Sequence, residues 1–170
     1  MLSYFLADDT LGVYEPPVRN SGIVGGKFLE RSRVYRPQST EVYRPGDLFV
    51  GATLEVHKRI FFVYEADEFT LRFMEQHPDV FPAADGARAV ASMREQARGK
   101  EDAVREALLG VAGAGAAPGG SGAAAVADAL RAAGVSVVEH EVLAALRAMG
   151  EGGLPALAEE LLGSRSQAAE

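Results

Sequence analysis

Lys27 follows Gly22, Gly25 and Gly26 in the stretch RNSGIVGGKFLER, residues 19–31. Glycine with lysine is the pairing that cradles a phosphate, through backbone N–H groups and one ammonium. The spacing excludes that chemistry here. A phosphate loop, G-x-x-x-x-G-K-S/T, needs a hydroxyl after the lysine, and Phe28 stands there. A dinucleotide fingerprint needs a βαβ context, which is absent. The glycines read instead as a turn, with Gly25-Gly26 suited to a positive φ or a bulge before an alternating strand.

Other reactive side chains form no set. His57, His77 and His140 lie far apart without ligand-like spacing, so no metal site is expected. Asp8-Asp9 could serve as a carboxylate pair, but adjacent acids more often form a turn. The chain has no cysteine, hence no thiolate nucleophile, disulfide or Cys-ligated zinc. Nothing resembles the G-x-S-x-G of a serine hydrolase. The expectation is a non-enzymatic protein with no catalytic residues and no cofactor.

One local feature departs from an acidic background. Between Arg19 and Arg36 stand Arg19, Lys27, Arg31, Arg33 and Arg36, with Glu30 the one acid. Such a run either blunts a strand edge or meets an acidic partner. These five are the candidate partner-binding residues. The formal charge of -7 over 170 residues argues against a nucleic-acid binder. No apolar run approaches the ~20 residues that span a bilayer. MLSYFLADDT lacks a basic leader, so a cytoplasmic address is expected.

The elements that must carry these residues divide by composition. All eight Phe and five Tyr lie between Tyr4 and Phe81, and alanine and glycine dominate from Ala83. The aromatic part suits a β-rich core. A hairpin is expected around Asp8-Asp9, then an alternating strand in which Phe28, Glu30 and Ser32 oppose Leu29, Arg31 and Arg33. Lys27, Arg31 and Arg33 would share a solvent face with Leu29, leaving Phe28 for the core. Strands at 48–56 and 60–64 join at a basic turn, His57-Lys58-Arg59. ADEFTLRFMEQH then takes helical spacing, with Asp67 as N-cap and a stripe of Phe69, Phe73 and His77. A small barrel or curled sheet plugged by this helix is predicted.

HPDVFPAADG (77–86) is the natural junction. Beyond it, helices are predicted at about 84–98 and 100–112, separated by Gly99. GAGAAPGGSGAA (113–124) reads as a flexible linker. A short helix stops at Gly134; the next opens on Ser136 and Glu139 as a capping box, and the last carries Pro155 in its first turn. The domain plan is 1–82, a connector at 83–112, the linker at 113–124 and a helical region at 125–170.

YFLADDT, YEPPVRNSGIVGGKFLER, DLFVGATLEV and ADEFTLRFME, in that order, resemble the DM-ten domain of EF-hand-domain-containing ciliary proteins. A ciliary nucleoside-diphosphate-kinase homologue also carries it. The likeness covers roughly residues 3–82 and is nearest to the last of three such domains; EADE here departs from the family's DADE. It implies an α+β chain: a PH-like β-barrel capped by a C-terminal helix, then a helical tail. It also implies a place in the lumen of axonemal doublet microtubules, against α/β-tubulin and other microtubule inner proteins. Three domains are usual and one is present, which fits either a short paralogue or part of a longer ribbon protein.

ALRAAGVSVVEHEVLAALRAMG is similar to the helices that join two EF-hands in that family. A calcium loop would begin near Gly150 and meet Gly150, Gly152, Leu154 and Leu161 at ligand positions. None carries a carboxylate, so no calcium is expected. The expected function is structural, within the doublet of the cilium or flagellum. The alternative is a PH-type module for a phosphoinositide headgroup or a peptide. Basic residues near a strand-to-strand loop favour that alternative, while the net charge of -7 and the luminal family disfavour it.

Overall fold

The structure, a computed structural model, describes residues 1–163 other than Val18, Ser21, Ile23 and 114–119. Two residues of the glycine stretch, the centre of the expected linker and the last seven residues thus lie outside the described residues. The architecture is α+β: antiparallel strands in the N-terminal part, then six α-helices among the described residues.

β1 (Leu2–Phe5) and β2 (Thr10–Glu15) form the expected hairpin, with Leu2 opposite Val13 and Phe5 opposite Thr10. β3 (Gly26–Ser32) pairs with the other edge of β2. Simple alternation fails along β3. Val13 pairs with Leu29 and Tyr14 with Lys27, so one step on β2 spans two on β3; a second register shift lies between Leu11 and Val13. Each one-residue slip sends the following side chains to the opposite face. Leu29 therefore turns inward with Leu11 and Val13, all buried, while Lys27 and Arg31 face solvent. The shared face expected for Leu29 and the basic residues does not exist. Phe28 is half-buried, edge-on to Phe61 with ring centroids 5.2 Å apart.

β4 (Thr53–Val56) and β5 (Arg59–Phe62) make a separate two-stranded sheet. Their turn is His57-Lys58, both at positive φ, 51° and 62°. That is the geometry of a two-residue hairpin turn matching the strand twist. Both strands are shorter than expected because Phe49–Ala52 turns away: Gly51 takes φ 93° and Ala52 N–H donates to the Phe49 carbonyl.

Contacts gather the chain into two units, Met1–Leu48 with Thr53–Phe62, and Phe49–Ala52 with Val63 onward. The first buries Leu11, Val13, Leu29, Tyr43, Leu54 and Val56. The second contains α1 (Glu68–Gln76), α2 (Gly86–Ala97), α3 (Glu101–Gly113), α4 (Gly120–Ala132), α5 (Glu139–Ala148) and α6 (Gly153–Leu162). Its core centres on Met93, Val104, Leu130, Val142, Leu157 and Leu161, with buried alanines such as Ala89, Ala127 and Ala145 between helices. Small side chains let the axes of α2 to α6 approach closely, and Phe81 is buried in a separate cluster with Met74 and Ala84.

Asp67 caps α1 as expected, accepting from Thr70 N–H at 3.0 Å. The buried face of α1 is not the expected one. Leu71 and Met74 are buried, Phe69 is 80% exposed, and Phe73 packs edge-on to Phe81 and stacks on His77. The units part at Phe62–Val63, not at the proline-rich junction, because α1 is tied to α5 through Arg147. Gly99 separates α2 from α3 with φ 77°, as the sequence predicts. Residues 122–124, read as linker, are helical in α4.

The capping box of α5 is displaced by two residues. Glu141 accepts from Val138 N–H at 2.9 Å, while the Ser136 backbone is bound by Gln96. A 3-10 turn at Gly150–Gly152 then runs straight into α6. Leu161, at the final ligand position of the would-be calcium loop, is buried in the helical core.

Candidate partner-binding surface

The five basic residues do not form one patch. Arg31 lies across the β1–β2 turn: its guanidinium donates to Asp8 at 2.7 Å and to the Thr10 hydroxyl at 2.9 Å, and sits 4.0 Å from the Phe5 ring centroid. Arg33 donates to the Asp8 carbonyl at 3.3 Å. Thr10 and then Arg31 hold the Asp8 carboxyl below the usual carboxylate range. Asp8-Asp9 is thus a turn fixed from both sides, since Asp9 accepts from the Tyr4 hydroxyl at 2.7 Å and pairs with Arg44. The Tyr4 hydroxyl is pushed up by burial and by that bond to Asp9.

Arg36 is a clip in the 33–48 segment. It grips Asp47 through Nη2, at 2.7 and 2.9 Å, and through Nε at 3.2 Å, and reaches Glu41 at 3.4 Å. Asp47 in turn accepts from Arg44 N–H at 2.7 Å. The bond to Asp47 raises the Arg36 guanidinium above its ordinary value. The planar fork suits a carboxylate held in one orientation.

Two of the five, Arg19 and Lys27, are exposed. Lys27 meets Glu30 at 3.5 Å with both side chains largely exposed, a contact of the kind that contributes about 0–1 kcal/mol. Arg19 is exposed in the turn before β3. Gly25 sets that turn by close approach and not by a positive φ. A Cβ there would stand 2.5 Å from the Glu15 carbonyl oxygen and 2.7 Å from Pro17 N.

The exposed basic group that this run omits is the β4–β5 tip. His57, Lys58 and Arg59 are all exposed, and the Arg59 guanidinium lies 5.4 Å from the Phe28 ring centroid. Behind the tip, Ile60 is 75% and Phe62 56% exposed. The signal for it was in the sequence as three consecutive basic residues, though not its juncture with exposed apolar side chains.

In the second unit two polar arrangements escaped sequence reading. Arg147 of α5 binds Glu68 at 2.9 and 3.0 Å and also pairs with Glu75, both on α1. These bonds, first to Arg147 and then to Arg72, lower Glu68 to about 2. His140 is buried, and its Nδ1 accepts from Val50 N–H at 2.9 Å. That bond fixes the neutral ring, and burial pushes its pKa down to about 4. Among the described residues no group of three His, Asp or Glu is placed to hold a metal ion.

Residues 1–70 match the DM10 domain. The chain is 38% identical over 113 residues to EF-hand domain-containing family member C2 of Danio rerio, covering 62% of this chain and 15% of that protein. It is 41% identical over 111 residues to EF-hand domain-containing protein 1 of Homo sapiens, covering 63% and 17%. With the Mus musculus form of that protein it shares 46% over 81 residues, covering 45% and 12%. The chain thus spans less than a fifth of the length of these curated relatives. The alignments to the Danio rerio and Homo sapiens proteins are longer than the matched domain, so the likeness runs into the helical part. Residues 1–70 of this chain match the DM10 domain, and its likeness to the EF-hand domain-containing proteins continues beyond them into its helical region.

Proposed function

We propose that this chain is a non-enzymatic structural protein of ciliary and flagellar doublet microtubules. It docks on the α/β-tubulin lattice or on a neighbouring protein of the doublet lumen. The observation that carries the reading is the DM10 domain at residues 1–70, with likeness to EF-hand domain-containing proteins extending into the helices. The engaged state of Asp8 and Asp9 supports a scaffold over a catalyst. Within the basic run, Arg19 and Lys27 are the residues offered to an acidic partner. Arg31, Arg33 and Arg36 hold the fold.

The test is retention in a ciliated cell. A tagged chain should stay with demembranated axonemes through a moderate salt wash and appear as luminal density in a doublet map. Release with the soluble matrix and no luminal density would overturn the reading. Lys27→Glu should leave the melting curve within ~0.5 kcal/mol of wild type and weaken retention. Arg31→Glu should melt at a lower temperature than Lys27→Glu, because it sets two carboxylates together at the β1–β2 turn.

A further inference from the structure

We propose that the open edge of β5 is a docking edge for an extended, acidic segment of a partner protein, which adds to the β4–β5 hairpin as a third strand. The backbone directions follow from one hydrogen bond. Glu55 N–H donates to the Tyr43 hydroxyl at 2.9 Å, so it points away from β5. Glu55 stands opposite Ile60. In an antiparallel ladder, facing residues either exchange both backbone bonds or neither. The N–H and C=O of Ile60 therefore point outward from the hairpin. By the alternation of the ladder, so do those of Phe62, opposite Thr53.

No further strand pairs with this edge among the described residues. Exposure agrees, at 75% for Ile60 and 56% for Phe62. Proteins ordinarily shield such an edge with a charge, a proline or a cover. Here the two residues with outward backbone groups also carry exposed apolar side chains. An incoming strand would satisfy the backbone groups and cover both side chains, the division of labour in strand addition.

Charge names the occupant. His57, Lys58 and Arg59 stand exposed at the end of the edge, and the hairpin's one acid, Glu55, lies on β4 across the sheet. Although the chain carries -7 overall, a contact within about 10 Å feels local charge first. A strand with acids beside its apolar residues complements both features. A second copy pairing through its own β5 would offer Arg59-Ile60-Phe61-Phe62, with no acid to meet the tip. The inference stands on this edge geometry and not on the doublet reading.

The probe is a fluorescein-labelled decapeptide of alternating valine and glutamate, titrated into the full chain by anisotropy. Saturable binding is expected, weakened by salt and lost when alternate peptide nitrogens are methylated. Lys58→Glu with Arg59→Glu, and separately Ile60→Lys with Phe62→Lys, should each weaken it at least tenfold. Phe62→Thr keeps strand preference and serves if the lysine variant unfolds. By hydrogen exchange, the Ile60 and Phe62 amides should exchange freely in the chain alone and slow when peptide is bound. Several results overturn the proposal: no saturation at millimolar peptide, variants that bind equally, or amides already protected in a monomeric free chain. A concentration-dependent dimer abolished by Phe62→Lys would assign the edge to a second copy. Phosphoinositide vesicles that bind through Lys58 and Arg59 without competition by peptide would assign the tip to a headgroup. Each outcome can occur whether or not the chain is retained in axonemes, so the two readings fail separately.

Discussion

Gly25 and His140 show how single positions carry structure that residue type only hints at. A side chain at Gly25 would meet backbone, which cannot swing aside. Gly25→Ala should therefore cost about 1–3 kcal/mol, the range for forced overpacking, read as a shifted urea midpoint. A change below about 0.5 kcal/mol, ordinary for a surface site, would mean the turn relaxes freely. His140 bears on pH. Its folded pKa of about 4 is below the ordinary 6.5. As pH falls below 6.5 the unfolded chain binds a proton that the folded ring refuses, so stability falls until the folded pKa is reached. The full effect is on the order of 3 kcal/mol. Between pH 6.5 and 5 this loss precedes that from Glu68, whose lowered pKa acts only below about 4.5. His140→Asn keeps an acceptor near Val50 N–H and cannot titrate there. Its stability should be flat between pH 6.5 and 5, and an unchanged slope in that variant would assign the effect elsewhere.

At the scale of elements, the helix α1 is the instructive case. Its period, its start and its Asp67 cap are as the sequence predicts, yet its buried face is rotated from the aromatic stripe to Leu71 and Met74. Arg147 from α5, binding Glu68 at the first position of α1 and Glu75 two turns further on, holds that rotation. Met74→Ala should cost about 2–5 kcal/mol, as for other buried methionines. Phe69→Ala should stay within about 0.5 kcal/mol, as at a surface site. Thermal melts of the two variants measure the difference directly, and a larger loss for Phe69→Ala would restore the stripe. β3 teaches the same lesson for strands. Its alternation is plain in sequence, but two register shifts decide which residues point inward.

At the scale of the molecule, chain order and packing order diverge. Phe49–Ala52 lies between the strands of the first unit in sequence and packs in the second, where Val50 is 1% exposed and bound to His140. A fragment ending at residue 82 keeps the whole DM10 match but loses α5. Uncovering Val50 should cost about 1.5–3 kcal/mol, the value of one buried aliphatic side chain. The fragment should unfold at lower urea than the intact chain and bind more of a hydrophobic dye. Equal midpoints would show that burying Val50 against α5 adds no stability.

Sequence alone determined the α+β division, the β1–β2 hairpin, the Asp67 cap, the break at Gly99 and the lack of calcium ligands at Gly150, Gly152, Leu154 and Leu161. Each depends on residues close in the chain, where spacing and residue type set the local physics. It also held the ordered motifs of the DM10 domain. Tertiary structure alone decided which basic residues are held by acids of the fold. Arg31 and Arg36 find their acids 23 and 11 residues away, and no local pattern encodes such a meeting. The same holds for the open edge of β5. The strand is legible as apolar, but whether a strand edge is covered depends on every other strand in the fold.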